Sequence, residues 1–191
     1  DNLYTGPDPD PVVGVGGIFG REGAELTVRD SILEDNSWDG VTLYRGEPGK
    51  PSTAAKAVVT HCRVGCTSSC VNPRGRGVGI AATWDGQLAA VGNVVHHYWK
   101  GIGSFGTSFV EARNNVVRDQ AGWGMIAAQN SKMLAYNNVV VRNGTTGMAA
   151  WDGTSRGEFV NNIIYGNGTS PDEWVGKKTG LWFNAQAANF R

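Results

Sequence analysis

Four short stretches decide the fold: Asn93-Val94-Val95, Asn115-Val116-Val117, Asn138-Val139-Val140 and Asn162-Ile163-Ile164. Their leading asparagines are 22, 23 and 24 residues apart, and each stretch is followed by a glycine and an apolar residue. Self-similarity at such a period is typical of a solenoid, in which each repeat is one coil that buries its apolar face only against its neighbours. The repeat therefore predicts stacked coils.

The same register extends toward the N-terminus. Ser31-Ile32-Leu33 and Cys62-Arg63-Val64 occupy equivalent positions at spacings of 31 residues. Strands are expected after the glycines at Gly17–Phe19, Val41–Arg45, Val78–Thr83, Ile102–Phe105, Met125–Ala128, Met148–Trp151 and Leu181–Asn184. A coil of this length has room for about three strands and three corners. The recurring asparagine is placed at a corner, where it tolerates left-handed geometry and can bond its equivalents as an asparagine ladder.

These repeats resemble the right-handed parallel β-helix of the pectate-lyase-like superfamily over roughly residues 14–184. We therefore expect an all-β chain with a single right-handed parallel β-helix of about seven coils over residues 14–191, after a Pro-rich extension at residues 1–13. Superfamily members include polysaccharide lyases, hydrolases and epimerases, but also phage spikes, adhesins and surface proteins. The resemblance implies a secreted or cell-surface protein and does not by itself imply a function.

The composition narrows the classes of function. The 191 residues carry 17 Lys and Arg and 17 Asp and Glu, a net charge of +0, so there is no basic field to attract nucleic acid or an anionic membrane. No apolar run approaches the roughly 20 residues that span a bilayer. Glycine at 28 residues and Trp at 7 suit a turn-rich β protein. The chain begins at Asp1, so we expect a processed product or a piece of a longer chain.

Three cysteines, Cys62, Cys66 and Cys70, lie close together in the sequence. The favoured interpretation is a local disulfide between Cys66 and Cys70 with Cys62 buried. A metal centre would need more ligands than the neighbouring His61 supplies, and zinc signatures usually show C-x2-C pairs. We expect neither a metal nor a cofactor.

Two further patterns are interpreted as turns. Asn143-Gly144-Thr145 and Asn167-Gly168-Thr169 match the N-glycosylation acceptor pattern, but Asn-Gly pairs are also ordinary turn formers. Asp85-Gly86 and Asp152-Gly153 lack the further oxygens that calcium requires.

Because the coils stack, residues at equivalent positions of consecutive repeats are expected to be neighbours in space. His97, Asp119 and Arg142 each lie four residues after an anchor and should be consecutive neighbours on one outer corner. His97 and Asp119 would form an acid/base pair, and Arg142 could hold a uronate carboxylate in a bidentate fork. This trio is our predicted catalytic site. The alternative is that mixed charges on a solvated corner simply pair.

Further residues are predicted to bind substrate around this corner. Two insertions, at residues 66–76 and 169–178, fall there and should wall a groove. The residues expected to contact a saccharide are Tyr98, Trp99, Trp123, Trp174, Arg74 and Arg76. A short helix is expected over residues 170–177, where Ser and Pro precede two acids. His96 should point away from His97 and be structural or lie on the surface.

The outer face of the strands that follow the glycines is predicted to be small or aromatic and uncharged. Its expected residues are Thr42, Gly79, Gly103, Ile126, Ala149 and Trp182, then Tyr44, Ala81, Phe105, Ala128, Trp151 and Asn184. Pectate lyases of the superfamily carry an acidic calcium cluster and an Arg on this face, and polygalacturonases carry a group of Asp; neither pattern is found. Phe105, Trp151 and Trp182 are therefore predicted to form an interface with a partner chain, or to stack on a flat polymer.

Two functions stay open at this point. The first is an extracellular protein that acts on or binds a polysaccharide, such as a uronic-acid polymer, in the manner of a lyase, epimerase or hydrolase. The alternative is a non-catalytic structural or adhesive subunit that packs on a partner chain or on missing parts of a longer chain.

Overall fold

The computed structural model describes residues 16–36, 38–44, 53–66, 77–171, 178–184 and 188–190. These residues form twenty β-strands and no α-helix. The Pro-rich extension predicted at 1–13, Arg74, Arg76 and Trp174, and most of the predicted helix at 170–177 lie outside the described residues.

The strands form three sheets, which we call A, B and C. Sheet A contains β1 (Ile18–Gly20), β4 (Val41–Leu43), β7 (Val78–Thr83), β10 (Lys100–Phe105), β13 (Trp123–Ala128), β16 (Thr146–Ala150) and β19 (Thr179–Phe183). Sheet B contains β2 (Glu25–Arg29), β5 (Lys56–Thr60), β8 (Gln87–Val91), β11 (Phe109–Arg113), β14 (Lys132–Tyr136), β17 (Arg156–Val160) and β20 (Ala188–Phe190). Sheet C contains β3 (Ile32–Glu34), β6 (Arg63–Gly65), β9 (Val94–His96), β12 (Val116–Arg118), β15 (Val139–Val141) and β18 (Ile163–Tyr165).

Each strand pairs in parallel with its equivalent one coil away, as in the register of Val116 with Val94 and Val139. The chain visits sheets A, B and C in turn within every coil, which is the connectivity of a parallel β-helix. The predicted all-β solenoid is confirmed, and sheet A has the seven strands expected after the glycines.

The core consists of columns of identical or similar side chains, one from each coil. Val95, Val117 and Val140 stack within sheet C with no exposed surface, and Ile102 and Met125 do the same within sheet A. Burying a side chain of this size contributes about 1.5–3 kcal/mol. The repeated apolar pair thus builds one continuous interior from short strands that are each too small to be stable alone.

An asparagine ladder fixes the corner before sheet C. The Nδ2 of Asn93 donates to Oδ1 of Asn115 at 3.0 Å, Asn115 donates likewise to Asn138 at 3.0 Å, and Asn138 donates to Asn162 at 2.9 Å. The same oxygens accept the backbone N–H groups of the preceding coil. The ladder is as predicted, but the left-handed backbone belongs to the residue before it, such as Asn114 with φ 58°.

A second amide ladder follows sheet C. The backbone N–H of Tyr98 donates to Oε1 of Gln120, that of Gln120 donates to Oδ1 of Asn143, and Nδ2 of Asn143 donates to Oδ1 of Asn167. Asn143 has no exposed surface. Its amide is therefore a structural donor in the folded chain and is not accessible as a glycosylation acceptor.

The cysteines follow the expected pattern within the described residues. Cys66 is disulfide-bonded, and Cys62 is a free, buried thiol. Cys70 lies outside the described residues. The Cys62 backbone N–H also donates to Oδ1 of Asn93, which places this cysteine at the corner that carries the asparagine ladder.

Candidate functional site

Asp119 and Arg142 meet at the corner after sheet C, as predicted from the register. Arg142 donates from Nε to Oδ1 at 2.7 Å and from Nη2 to Oδ2 at 2.9 Å, and Arg118 donates from Nη1 to Oδ2. Burial raises the pKa of Asp119, but the hydrogen bonds from both arginines outweigh it and lower the pKa below its ordinary value. The carboxylate is thus engaged by a bidentate guanidinium and a second arginine.

His97 lies at the equivalent position one coil earlier, but its ring contacts His96. The two Nδ1 atoms are 2.9 Å apart, and the rings are nearly perpendicular at 86°. Within the described residues His97 and Asp119 make no hydrogen bond with each other, so the expected acid/base pair is not assembled. The catalytic role of His97, Asp119 and Arg142 stays a prediction.

Backbone geometry explains why these three residues align. His97, Asp119 and Arg142 have φ of 59°, 56° and 54°, and Asp35 and Gly166 at the same position have 57° and 62°. In these five coils a left-handed residue turns the chain out of sheet C, and this geometry is costly for a residue other than glycine. The alignment is therefore a property of the corner, whatever the side chains do there.

Of the residues predicted to bind substrate beside this corner, the structure describes Tyr98, Trp99 and Trp123, and Trp123 is the most exposed of these three. Tyr98 and Trp99 are 4% and 5% exposed, which corrects the expectation that both present rings to a saccharide. The cause is that Tyr98 belongs to the main core. Trp123 is only half-buried, and it lies on the outer face of sheet A.

That outer face carries a tryptophan row, which consists of Trp99, Trp123, Trp151 and Trp182. Consecutive ring centroids are 5.6, 5.2 and 6.2 Å apart. Trp123, Trp151 and Trp182 pack on a small floor of Ile126, Ala128 and Ala149. The expected residues Trp151 and Trp182, together with Phe105, do share one face, and their rings are partly exposed.

The same face carries a charge, contrary to the sequence expectation. The Nζ of Lys100 lies 6.0 Å from the centroid of the Phe105 ring and 5.8 Å from a ring centroid of Trp123. Burial lowers the pKa of Lys100 to about 8, although the charge of Asp39 acts in the opposite direction. The amine is therefore protonated in most molecules at neutral pH and sits beside two aromatic rings, which attract a cation.

The glycine that follows Lys100 explains the error. A Cβ on Gly101 would lie 2.4 Å from Cγ1 of Val117, so this position points into the core, and Ile102 after it is also buried. Because Gly101 and Ile102 both point inward, the alternation of inward and outward side chains is shifted by one residue at this point. Lys100, directly before the glycine, therefore points outward. The same shift corrects Gly79, which was expected on the outer face; Ala81 takes that place, in register with Gly103.

Asp39 precedes a glycine in the same way and lies beside Val78, which is the register partner of Lys100. Its Oδ1 accepts the backbone N–H of Val78 at 2.8 Å, and its Oδ2 accepts the hydroxyl of Tyr44 at 2.8 Å. Burial raises the pKa of Asp39, and these hydrogen bonds and the charge of Lys100 oppose the rise only in part. Burial, followed by the charge of Asp39, also raises the pKa of Tyr44.

The outer face of sheet A thus joins an aromatic row to an acid and an amine with shifted pKa values, a combination that is enriched at functional sites. Sequence reasoning missed Asp39 and Lys100, but one signal marks them: each directly precedes a repeated glycine. Among the described residues, no group of three or more His, Cys, Asp and Glu could hold a metal ion. In that same part of the chain, no helix is long and apolar enough to cross a membrane.

After comparison with known proteins, the class of this protein is inferred mainly from its architecture. No family model matches this sequence, and no curated protein matches it. The fold defines the class as a parallel β-helix, and fold alone hosts many functions.

Proposed function

We propose that this protein is an extracellular β-helix of the pectate-lyase-like kind that binds an acidic polysaccharide on the outer face of sheet A. The observation that carries the proposal is the tryptophan row beside Lys100, with three ring contacts between 5.2 and 6.2 Å. Aromatic rings present broad apolar surfaces, and a few polar groups beside them orient a ligand. A chain of sugar rings offers apolar ring faces to such a surface and hydroxyl and carboxylate groups to its polar end.

Lys100 supplies the preference for acidic sugars. Its amine lies between Phe105 and Trp123, where little water competes for it, and a carboxylate would form a charge-assisted hydrogen bond there. Such a bond contributes about 1.5–3 kcal/mol, or roughly tenfold or more in affinity. A uronic-acid polymer is the ligand class that combines stackable rings with regularly spaced carboxylates.

Asp39 offers a route from binding to catalysis. A carboxyl group whose pKa is raised and an amine whose pKa is lowered are the kinds of group that transfer protons to and from a bound ligand. Lyase, epimerase and hydrolase chemistry on a uronic acid all require such transfers. We place this chemistry second to binding, because both carboxylate oxygens of Asp39 already accept hydrogen bonds within the chain.

The alternative function is a non-catalytic structural or adhesive subunit that packs the same face on a partner chain. The floor of Ile126, Ala128 and Ala149 under partly exposed tryptophans favours it, since contiguous apolar surface often marks an interface. The two functions make opposite predictions for isolated protein and soluble oligosaccharide.

The test is calorimetric titration with an oligomer of galacturonic acid and with a neutral glucose oligomer of equal length. Lys100→Met should weaken binding of the acidic oligomer about tenfold or more and leave the neutral oligomer nearly unaffected. Lys132→Met is the matched control, because Lys132 also lies over an aromatic ring, Phe109 at 5.7 Å, but on sheet B. Equal losses in both variants would reject the assignment of Lys100.

The same samples separate the remaining possibilities. Absence of binding to either oligomer, with an assembly that Trp151→Ala dissociates, would replace the proposal by the structural alternative. Conversion of the acidic oligomer by the wild-type protein would show catalysis. Loss of that conversion in His97→Ala but not in Lys100→Met would move the reaction to the corner after sheet C.

A further inference from the structure

The corner between sheets A and B carries an exposed tryptophan directly after β7. Trp84 is 44% exposed and has φ 41°, a left-handed backbone that is costly for a bulky side chain. The next two coils place Gly106 and Gln129 at this position, with φ 50° and 61°. Glycine adopts this geometry without strain, so the backbone alone does not favour tryptophan here. Strain of this kind is enriched at functional sites.

The Trp84 ring has a defined place at this corner. A Cβ added to Gly106 would lie 2.5 Å from Cε3 and 2.7 Å from Cδ2 of the ring, so the ring lies directly on this glycine. The backbone N–H of Trp84 also donates to the carbonyl of Phe105 at 3.0 Å. The missing side chain at Gly106 thus leaves the space that the ring occupies, while nearly half of the tryptophan surface stays open to solvent.

Polar side chains share this corner with the ring. Asp85 and Thr107 are linked, because the Thr107 hydroxyl donates to Oδ1 of Asp85 at 2.7 Å and accepts the Asp85 N–H at 3.2 Å. Gln129 and Asn130, on the coil after Thr107, are exposed. Within the described residues their side-chain amides make no hydrogen bond. A carboxylate and two amides are therefore available to the hydroxyl groups of a ligand.

The backbone that carries the two amides is held in place. The Gln129 N–H donates to Oδ2 of Asp152 at 2.6 Å, and the Asn130 N–H donates to Oγ1 of Thr154 at 2.9 Å. Gln129 and Asn130 both have left-handed φ, of 61° and 63°. The amides are thus presented from a fixed backbone, and a preorganised site loses less entropy when it binds a ligand.

The charges at the corner favour a neutral ligand. Both oxygens of Asp152 accept hydrogen bonds within the chain, and Asp85 adds a second carboxylate. Lys132, two residues after Asn130, has its amine 5.7 Å from the centroid of the Phe109 ring on sheet B. A uronic acid would therefore meet like charge at the corner, whereas the hydroxyl groups of a neutral sugar can donate to the carboxylate and bond the amides.

Five residues form what we call the corner subsite: Trp84, Asp85, Thr107, Gln129 and Asn130. We propose that the corner subsite binds a neutral sugar and is separate from the acidic-sugar site on the outer face of sheet A. The Trp84 ring stacks on the apolar face of the sugar, while the carboxylate and the two amides bind its hydroxyl groups. The inference rests on the proposed function in that one polysaccharide supplies the sugars of both sites. It adds that this polysaccharide contains neutral as well as acidic units.

The test follows the tryptophan indole N–H signals of 15N-labelled protein during titration with neutral oligomers of glucose and of galactose. The Trp84 signal, identified by its loss in Trp84→Gln, should shift and saturate with one of them. Calorimetry should show roughly tenfold weaker binding of that oligomer to the variant. The substitution suits the backbone, because Gln129 has the equivalent position two coils on. Tyr165→Gln is the matched control and should bind like the wild type, since Tyr165 is 75% exposed but lies on sheet C.

Asp85→Asn tests the preference for a neutral sugar. It removes the carboxylate and keeps an oxygen that can accept the Thr107 hydroxyl. In the wild type the galacturonic acid oligomer should leave the Trp84 signal in place. In Asp85→Asn the same oligomer should shift that signal, since the repelling charge is gone. An equal response of the two proteins to the acidic oligomer would overturn the assigned preference.

The same titrations distinguish failure of the corner subsite from failure of the proposed function. If neither neutral oligomer shifts the Trp84 signal while Lys100→Met still weakens binding of the acidic oligomer, the corner subsite is rejected and the proposed function stands. If a neutral oligomer shifts the Trp84 signal while Lys100→Met binds the acidic oligomer like the wild type, the acidic site is rejected and the corner subsite stands.

Discussion

The outer faces of sheets A and B are built by the same coils and have very different surfaces. One row on sheet B reads Glu25, Lys56, Gln87, Phe109, Lys132 and Arg156 across six strands, and five of the six are exposed. The middle row on sheet A reads Thr42, Ala81, Gly103, Ile126, Ala149 and Trp182, and all but Trp182 are buried. The outer face of sheet B is exposed to solvent, whereas the middle row of the outer face of sheet A is largely buried.

The two lysines show what this difference does to one residue type. Lys132 is exposed above Phe109 on sheet B, and Lys100 is half-buried between Phe105 and Trp123 on sheet A. Burial lowers the pKa of Lys100 to about 8. The surroundings that the register provides, and not the residue type, therefore decide which lysine has unusual chemistry.

The largest expected effect comes from removal of a ring from the tryptophan row. Trp151 contacts Trp123 on one side and Trp182 on the other, so Trp151→Ala should cost about 2 kcal/mol of unfolding free energy and most of the oligosaccharide affinity. Chemical denaturation and calorimetry measure the two losses.

Tyr136→Ala on sheet B is the control for this variant. Its ring is half-buried and its hydroxyl donates to Glu111, but it belongs to no aromatic row, so the loss should stay below about 1 kcal/mol with affinity unchanged. Similar losses in the two variants would mean that the faces do not differ in the way proposed.

The coil architecture could be predicted because the spacing of the sequence repeat equals the length of one coil. Asn93, Asn115, Asn138 and Asn162 recur at nearly one period, and a parallel coil converts that period directly into register. The asparagine ladder followed from the same spacing, since equivalent amides must stack. The strands of sheet A were therefore placed within about two residues of their observed ends.

The candidate site was harder to predict, because strand alternation fails where the chain turns. Gly101 and Ile102 both point inward, so a rule of period two assigns the wrong side to the residue before them, Lys100. At the other corner, the left-handed backbone of His97 brings its ring toward His96, although alternation predicts opposite directions. Both failures occur at corners, where local backbone geometry and not periodicity sets side-chain direction.

A smaller effect is expected from the titration of Lys100. Its pKa is lower in the folded chain than the ordinary value near 10.4, so the folded state releases its proton first as pH rises. The cost of burying the cation is present below about pH 8 and is progressively removed above it. Wild-type protein should therefore gain roughly 1 kcal/mol of stability relative to Lys100→Met between pH 8 and 10, because attraction to the rings offsets part of the cost.

Binding should change in the opposite direction over the same range. Deprotonated Lys100 has no charge for a carboxylate, so affinity for the acidic oligomer should fall above about pH 8 while affinity for the neutral oligomer stays constant. Denaturation and calorimetry at matched pH provide both curves. If stability and affinity change with pH in the same way in the wild type and in Lys100→Met, the titration is not that of Lys100. The control variant Lys132→Met should behave like the wild type.

The smallest effect concerns Asp152, at the corner that joins the two faces. Burial raises its pKa, but hydrogen bonds from the Gln129 N–H and from Thr154 and Ser155 outweigh this and lower the pKa to about 2. Because the folded pKa lies below the unfolded one, the stabilisation is complete above about pH 4 and is lost as pH falls toward 2. Asp152→Asn should cost about 1 kcal/mol at pH 7 and almost nothing at pH 2.

Asp85→Asn provides the comparison for this corner. Asp85 accepts one side-chain hydrogen bond, from Thr107 at 2.7 Å, whereas Asp152 accepts hydrogen bonds from three residues. The Asp85 variant should therefore lose less stability than the Asp152 variant at pH 7. If thermal denaturation at pH 7 shows equal losses in the two variants, the corner carboxylates are interchangeable, and the boundary between the faces does not depend on Asp152.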